Sequence, residues 1–341
     1  MEFSNKLDSH QKKATLAQQI FNYTKLTKKE PEISSFDFQP PHGISEIITC
    51  IEVIDQSRSR YEEKNFNRRV EAIDFIEFQI IDQIDWLLQK TDQPNELILL
   101  KGRAEKIKHH LEEINVELFQ RLRESIRNKS FTGKGFKSLI NEYVDLHTDL
   151  KEHHEEEGYD NLDIFINELT SFQPIPEQTR ELEAEMVFYQ KTPARIIFEI
   201  AEEYQFTEDD VFFDLGSGLG QAAILVNLLS GVTVYGVEFE PAFCDYARAC
   251  TDQLNLPDVT FINEDARKAD YSKGTVFFMY TPFKGGILQE VLEVLRKESL
   301  SRKIKIFTYG PCTAQVALEC WLDFSGDDAN SIYSLGVFSS R

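Results

Sequence analysis

Three glycines at alternate positions, Gly216, Gly218 and Gly220, follow an acid, Asp214, with Ser217 and Leu219 between them and Gln221 behind. Glycine has no Cβ and reaches φ > 0 freely, so such a loop lets a ligand lie directly on the backbone. Where the loop opens a helix, free N–H groups at the helix start favour a carboxylate or a phosphate. The spacing differs from the dinucleotide fingerprint Gly-x-Gly-x-x-Gly. The loop alone therefore leaves several nucleotide ligands, and a purely structural turn, open.

Two more carboxylates fall where a nucleoside could use them. Glu238 closes Tyr235-Gly236-Val237-Glu238, 18 residues after Gly220, which is the spacing of a βαβ unit, and it can accept both hydroxyls of a ribose. Asp265, in Asn263-Glu264-Asp265-Ala266, can accept the exocyclic amine of adenine beside a backbone N–H. Met279-Tyr280-Thr281-Pro282-Phe283 is aromatic and rigid, fit to face a substrate. Histidine is absent after residue 154, so a general base in this half would be Tyr280, Tyr189 or a carboxylate.

These residues can meet only if each stands just after a strand of one parallel sheet, because ligands of doubly wound sheets bind outside the carboxyl ends of the strands. The apolar patterning supplies those strands. Val211–Leu215, Thr233–Glu238, Val259–Asn263, 275–280 and 303–310 read as strands, with helices at 219–229, 242–254 and 284–296. Segments 317–324 and 331–339 read as a terminal antiparallel hairpin. Ahead of the sheet, residues from 180 read as extended up to Thr192-Pro193, with a helix over 193–204. The fold class is thus α/β, a doubly wound, Rossmann-like sheet with an antiparallel edge.

Asp214-Leu-Gly-Ser-Gly-Leu-Gly-Gln, Phe188-Tyr189-Gln190-Lys191-Thr192-Pro193 and Gly236-Val-Glu resemble the motifs of class I S-adenosylmethionine (SAM) methyltransferases. They are most similar to those of the non-SET, seven-strand histone lysine methyltransferases. The resemblance covers residues 185–341 and implies a seven-stranded sheet in the order 3-2-1-4-5-7-6. It also implies SAM as cofactor and S-adenosylhomocysteine as product. Gly216, Gly218 and Gly220, with Ser217 and Gln221 in the same loop, would cradle the methionine part, and Asp214 would position its amino group. Glu238 would hold the ribose, Asp265 and Ala266 the adenine, while Tyr189 and Thr192 would close over the methionine end. Thr281, Pro282 and Phe283 would face the acceptor, with Tyr280 or Tyr189 as catalytic side chains. Methylases of amino groups carry Asn/Asp-Pro-Pro-aromatic after the fourth strand. Tyr280-Thr281-Pro282-Phe283 keeps one proline and the aromatic but loses the Asn, which leaves the acceptor nucleophile open. A methyltransferase-like scaffold without activity and a nicotinamide oxidoreductase stand as alternatives.

Residues 1–175 are not covered by that resemblance. Gln39-Pro40-Pro41-His42-Gly43 interrupts any helix, with one helix expected before it. Apolar residues three and four apart then predict helices over 44–63, 67–90, 95–127 and 135–151, and a short one over 159–169. A helical bundle over 1–175 followed by a methyltransferase domain over 176–341 is expected, with the bundle walling or selecting the acceptor. Phe172-Gln173-Pro174-Ile175-Pro176 marks the boundary.

At 341 residues, 41% apolar and 28% charged, the composition is that of a soluble globular protein. The net charge of −21 is spread over both halves and argues against nucleic acid, which needs a basic footprint. Ten Lys/Arg between 101 and 137 read as a solvated helix face. No run of about 18 apolar residues and no apolar leader is present, so no membrane association and a cytoplasmic location are expected. Five scattered cysteines argue for reduced thiols rather than disulfides or zinc. No metal is expected at His147, His153, His154 and the Glu155-Glu156-Glu157 run, because adjacent histidines diverge on a helix. The expected partners are SAM and an unidentified protein or small-molecule acceptor.

Overall fold

A computed structural model describes residues 40–129, 133–144, 146, 159–326 and 328–341. The helix expected before residue 40 and the histidines at 147, 153 and 154 lie outside the described residues. The chain divides into two compact units. Among the described residues, one is built from 40–124, 139–144 and 146, the other from 125–129, 133–138, 159–326 and 328–341.

The first unit is helical. Helix α1 (Ile44–Gln56) leads through a 3-10 turn (Arg58–Tyr61) to α2 (Phe66–Phe75), a π-helical turn (Ile76–Ile81) and α3 (Asp82–Leu88). A long helix, α4 (Asn95–Arg127), follows with the bounds its periodicity gave. Ile47, Ile51, Ile54, Ile76, Ile80, Ile84, Leu97 and Leu111 pack into one core. Helix α1 stops short of residue 63 because polar Gln56-Ser57-Arg58-Ser59 breaks the apolar stripe. Arg69 is fully buried. Its guanidinium donates to the Glu62 and Glu63 carbonyls and to Asn115 Oδ1 at 2.8 Å, which answers most of the cost of burying a charge. Helix α5 (Lys134–Asn141) ends ten residues before the expected 151, and 147–158 lie outside the described residues.

The second unit carries a seven-stranded sheet. Helices α6 (Asn161–Thr170) and α7 (Ala194–Glu203) precede β1 (Val211–Leu215), α8 (Gln221–Ser230), β2 (Thr233–Glu238), α9 (Pro241–Leu254) and β3 (Val259–Asn263). Then come β4 (Val276–Tyr280), α10 (Gly285–Ser299), β5 (Lys305–Tyr309), α11 (Cys312–Val316), β6 (Leu322–Phe324) and β7 (Gly336–Ser340). The strand order is β3-β2-β1-β4-β5-β7-β6, as the resemblance implied. Strands β1 to β5 pair in parallel, and β7 runs antiparallel to both β5 and β6. The inner strands are apolar on both faces because helices cover both. Helix α8 is buried from Ala222 to Leu229, as a helix that is apolar all round must be. On the sheet, Phe213, Leu215, Phe277 and Met279 meet Ile287, Leu288, Val291 and Leu295 of α10. The short α11 was not expected, since Pro311 reads as a stop; here it precedes the first helical residue instead. Among the described residues, no helix is long and apolar enough to cross a membrane.

Candidate active site

The glycine loop leaves the end of β1 and is held against β2. Gly216 and Ser217 N–H both donate to the Val237 carbonyl, at 2.9 and 3.1 Å. Gly216, Gly218 and Gly220 have φ of +76°, +52° and +81°, which side chains rarely adopt. Space excludes side chains as well. A Cβ on Gly218 would lie 2.3 Å from the Tyr189 ring, and one on Gly216 2.2 Å from Pro282 Cβ. Tyr189 also packs edge-on against Phe243, 5.5 Å between centroids. The loop is thus clasped by two elements that the sequence reading had placed at the site.

Two buried acids stand under the loop. Glu238 accepts the Gly218 N–H at 2.7 Å on one oxygen and the Glu240 N–H at 2.7 Å on the other. Burial raises its carboxyl above the usual range, with those N–H donors working against the rise. Asp214 is 3% exposed. Burial, and behind it the Glu238 charge, push its carboxyl up to about 7, while the Ala223 N–H pulls the other way. Asp214 Oδ2, Ser217 Oγ and Gln221 Oε1 are buried atoms without a hydrogen-bond partner among the described residues. Buried polar atoms are rarely left unpaired. Three in eight residues of one loop fit a ligand that brings N–H or O–H donors, as an α-ammonium and a ribose do.

Asp265 follows β3 as expected, but it already has a cation. Arg267 donates from Nε and from its terminal nitrogen, at 2.6 Å to Oδ2, and from its backbone N–H at 2.9 Å to Oδ1. That side-chain hydrogen bonding, before any other cause, holds the Asp265 carboxyl below the usual range. The same guanidinium reaches Glu183 Oε1 at 2.6 Å.

Glu183 belongs to a strap, residues 179–190, that crosses the carboxyl ends of β2, β3 and β4. At β2, Glu240 accepts the Thr179 and Arg180 N–H groups at 3.0 and 2.7 Å while capping α9 through the Ala242 N–H. At β3 the strap is tied by Arg267. At β4, Val187 N–H donates to the Pro282 carbonyl at 3.0 Å, and Glu185 accepts the Ile287 N–H at 2.9 Å at the start of α10. The sequence reading missed Glu183, Glu185, Glu240 and Arg267. Only Glu240 had a local signal, as an acid before a proline at a helix start.

The β4 loop is strained where a substrate was expected. Thr281 has φ +40°, and its hydroxyl donates to the Tyr309 carbonyl at 3.0 Å and accepts the Cys312 N–H at 3.2 Å. Such strain persists where the surroundings enforce it, and it clusters at functional sites. The Tyr280 and Tyr309 rings lie 5.0 Å apart, and Phe283 is buried against the strap through a bridge to Met186.

Two cavities open here. The first, about 760 Å³ including space open to solvent, brings together Gly216, Glu238, Asp265, Ala266 and Tyr189 with Tyr280, Thr281, Pro282 and Phe283. Phe188 lines it too and is 78% exposed. The second is lined by Gln221, Lys191, Asp163, Asn167, Tyr246 and, again, Tyr189. Thr192 lines neither; its neighbour Lys191 does.

This strand order, with its terminal antiparallel hairpin, is the class I SAM-dependent methyltransferase fold. Residues 179–277, from the strap into β4, match the family model described as "Histone methylation protein DOT1". Among curated proteins none matches the chain. Similar solved structures include an RNA methyltransferase from Salinibacter ruber in complex with S-adenosyl-L-homocysteine, at 22% identity over 44% of this chain and 92% of that one, TM-score 0.36. A SAM-dependent methyltransferase from Aquifex aeolicus is 18% identical over 43% of this chain and 93% of its own, TM-score 0.36.

Proposed function

We propose that the protein is a SAM-dependent methyltransferase acting on a nitrogen of a protein, lysine-like, or of a small molecule. The observation that carries this reading is the set of donorless acceptors Asp214 Oδ2, Ser217 Oγ and Gln221 Oε1 beside Glu238. In this reading Glu238 holds the ribose hydroxyls and Asp214 the amino group, with Gly216, Gly218 and Gly220 giving the ligand access to backbone. Asp265 and Ala266 take the adenine, Asp265 keeping or yielding Arg267 as it does so. When bound, SAM supplies an electrophilic sulfonium methyl that an acceptor lone pair takes by in-line displacement. The residues here need only bind, orient and exclude water, which accounts for much of the acceleration of such a transfer. Tyr280, Thr281, Pro282 and Phe283 face the acceptor, and Tyr280, Tyr189 or a carboxylate of the same cavity accepts or relays its proton.

A protein acceptor is favoured by the match of 179–277 to a histone methylation family and by charge. Glu238, Glu240, Glu264 and Asp265 all line the first cavity, which suits a cationic acceptor and a cationic donor. Residues 176–341 supply the glycine loop and its carboxylates, and the helical residues before them select the acceptor. The test is incubation with methyl-labelled SAM and lysate separated into protein, RNA and small molecules. Label in protein or small molecules is expected. Label in RNA alone contradicts the acceptor class, and S-adenosylhomocysteine binding without any labelled acceptor favours a scaffold.

A further inference from the structure

The first cavity is lined by Glu238, Glu240, Glu264 and Asp265 and, among the described residues, by no lysine or arginine. The cation that serves it stands behind the wall. Arg267 lines neither cavity, yet its donors converge on one wall residue. Asp265 Oδ1 accepts the Arg267 backbone N–H at 2.9 Å and Nε at 3.0 Å, while Oδ2 accepts the terminal nitrogen at 2.6 Å and shares Nε at 3.1 Å. The Asp265 side chain is 10% exposed and that of Arg267 20%, so water screens the pair little. Asp265 is held from its main chain too, its N–H donating to Glu264 Oε1 at 2.9 Å. On its far side the guanidinium reaches Glu183 Oε1 of the strap at 2.6 Å.

A carboxyl group that can turn, or take up a proton, offers a ligand either a donor or an acceptor. Asp265 can do neither at low cost. The planar guanidinium spans both of its oxygens and fixes the plane of the carboxylate, and the same hydrogen bonds favour its ionised form. Without Arg267, Asp265 would be one of four carboxylates around a cavity with no cation in its lining, where like charges favour uptake of a proton. With Arg267 in place, what remains for a ligand is an acceptor only. Among purines this matters at position 6, where adenine carries an amine that donates and a 6-oxopurine carries a carbonyl oxygen that an ionised carboxylate repels.

We infer that Arg267 is a positioning residue that makes the site select a 6-aminopurine over a 6-oxopurine, by fixing Asp265 as an acceptor from outside the cavity. The inference rests on the SAM-binding reading above and adds to it a residue that touches no ligand.

The experiment is calorimetric titration of the full chain with S-adenosylhomocysteine and with S-inosylhomocysteine, its 6-oxo counterpart. Wild type is expected to bind the first at least about tenfold more tightly, the size of one charge-assisted hydrogen bond. Arg267→Met is expected to narrow that preference to within about threefold, because the freed carboxyl group can turn or protonate to meet the carbonyl, and Arg267→Lys to restore part of it. A merely structural arginine would weaken both ligands alike, so an unchanged preference in Arg267→Met overturns the inference. Glu183→Ala leaves the Asp265 contacts in place and is expected to keep the preference within about twofold of wild type. If it loses the preference as Arg267→Met does, selection belongs to the strap and the inference falls. Arg267→Gln carries the same expectations if Arg267→Met does not fold, and equal binding of the two ligands by wild type overturns the inference without any variant. Failure of wild type to bind S-adenosylhomocysteine at all overturns the SAM-binding reading itself, a result distinct from lost selectivity.

Discussion

Asp214 shows how a single residue carries both cost and purpose. Its folded carboxyl titrates at about 7 against 3.8 for the free side chain, so ionising it disfavours the ligand-free fold. The destabilisation is absent at low pH, grows as pH rises above about 4, and is complete above about 7; Glu238, also raised, adds to the same slope. Asp214→Asn should therefore melt above wild type at pH 8, with the gap narrowing toward pH 5 and closing below about pH 4. A variant less stable than wild type at pH 8 contradicts the assignment. If the carboxylate receives an ammonium, binding of S-adenosylhomocysteine near pH 7 must also release protons. Calorimetry in buffers of different ionisation enthalpy should show that release in wild type and not in Asp214→Asn. Gly218→Val places a branched Cβ at φ +52° against the Tyr189 ring and should abolish ligand binding while the sheet still folds. At this scale the sequence was readable where chemistry and backbone geometry coincide. Asp214, the glycines and Glu238 stand together because strand ends fix them. Thr192 and Lys191 are neighbours in a loop, and no periodicity tells which of the two turns into a cavity.

The strap over residues 179–190 is the element whose behaviour distinguishes this site. Removing the Glu240 carboxylate leaves the Thr179 and Arg180 N–H groups without their acceptor and uncaps α9. Glu240→Ala should cost about 1–3 kcal/mol by chemical denaturation. Limited proteolysis should cut faster within 179–190, and cuts elsewhere only would contradict the anchoring role. Glu240→Gln keeps an acceptor oxygen and should fall between the two. The strands were legible because runs such as Val211-Phe212-Phe213 and Thr233-Val234-Tyr235 are bounded by glycine or acid, and β1, β2 and β3 have the bounds read from them. The strap was legible only as extended chain. Its ties join Arg180 to Glu240 and Glu183 to Arg267, pairs 60 and 84 residues apart with no local signature. The π-helical turn at Ile76–Ile81 was equally hidden, since its apolar stripe is that of an ordinary helix.

On the scale of the whole molecule, α6 belongs with the sheet although it precedes the prolines at 174 and 176. Asp163 holds the Ala194 N–H, Asp160 pairs with Arg195, and Asn167 accepts from Gln221 of the glycine loop. A chain beginning at residue 176 loses all three contacts and should unfold at lower denaturant and bind S-adenosylhomocysteine at least tenfold more weakly. Wild-type binding by that shortened chain would show that α6 does not support the loop. The central claim, that the cleft under the glycine loop binds SAM, is tested most directly by titrating the full chain calorimetrically with S-adenosylhomocysteine, wild type beside Glu238→Ala. Saturable one-to-one binding by wild type, abolished in Glu238→Ala, is the expected result. No heat of binding at high micromolar ligand, or binding that Glu238→Ala leaves unchanged, would contradict it.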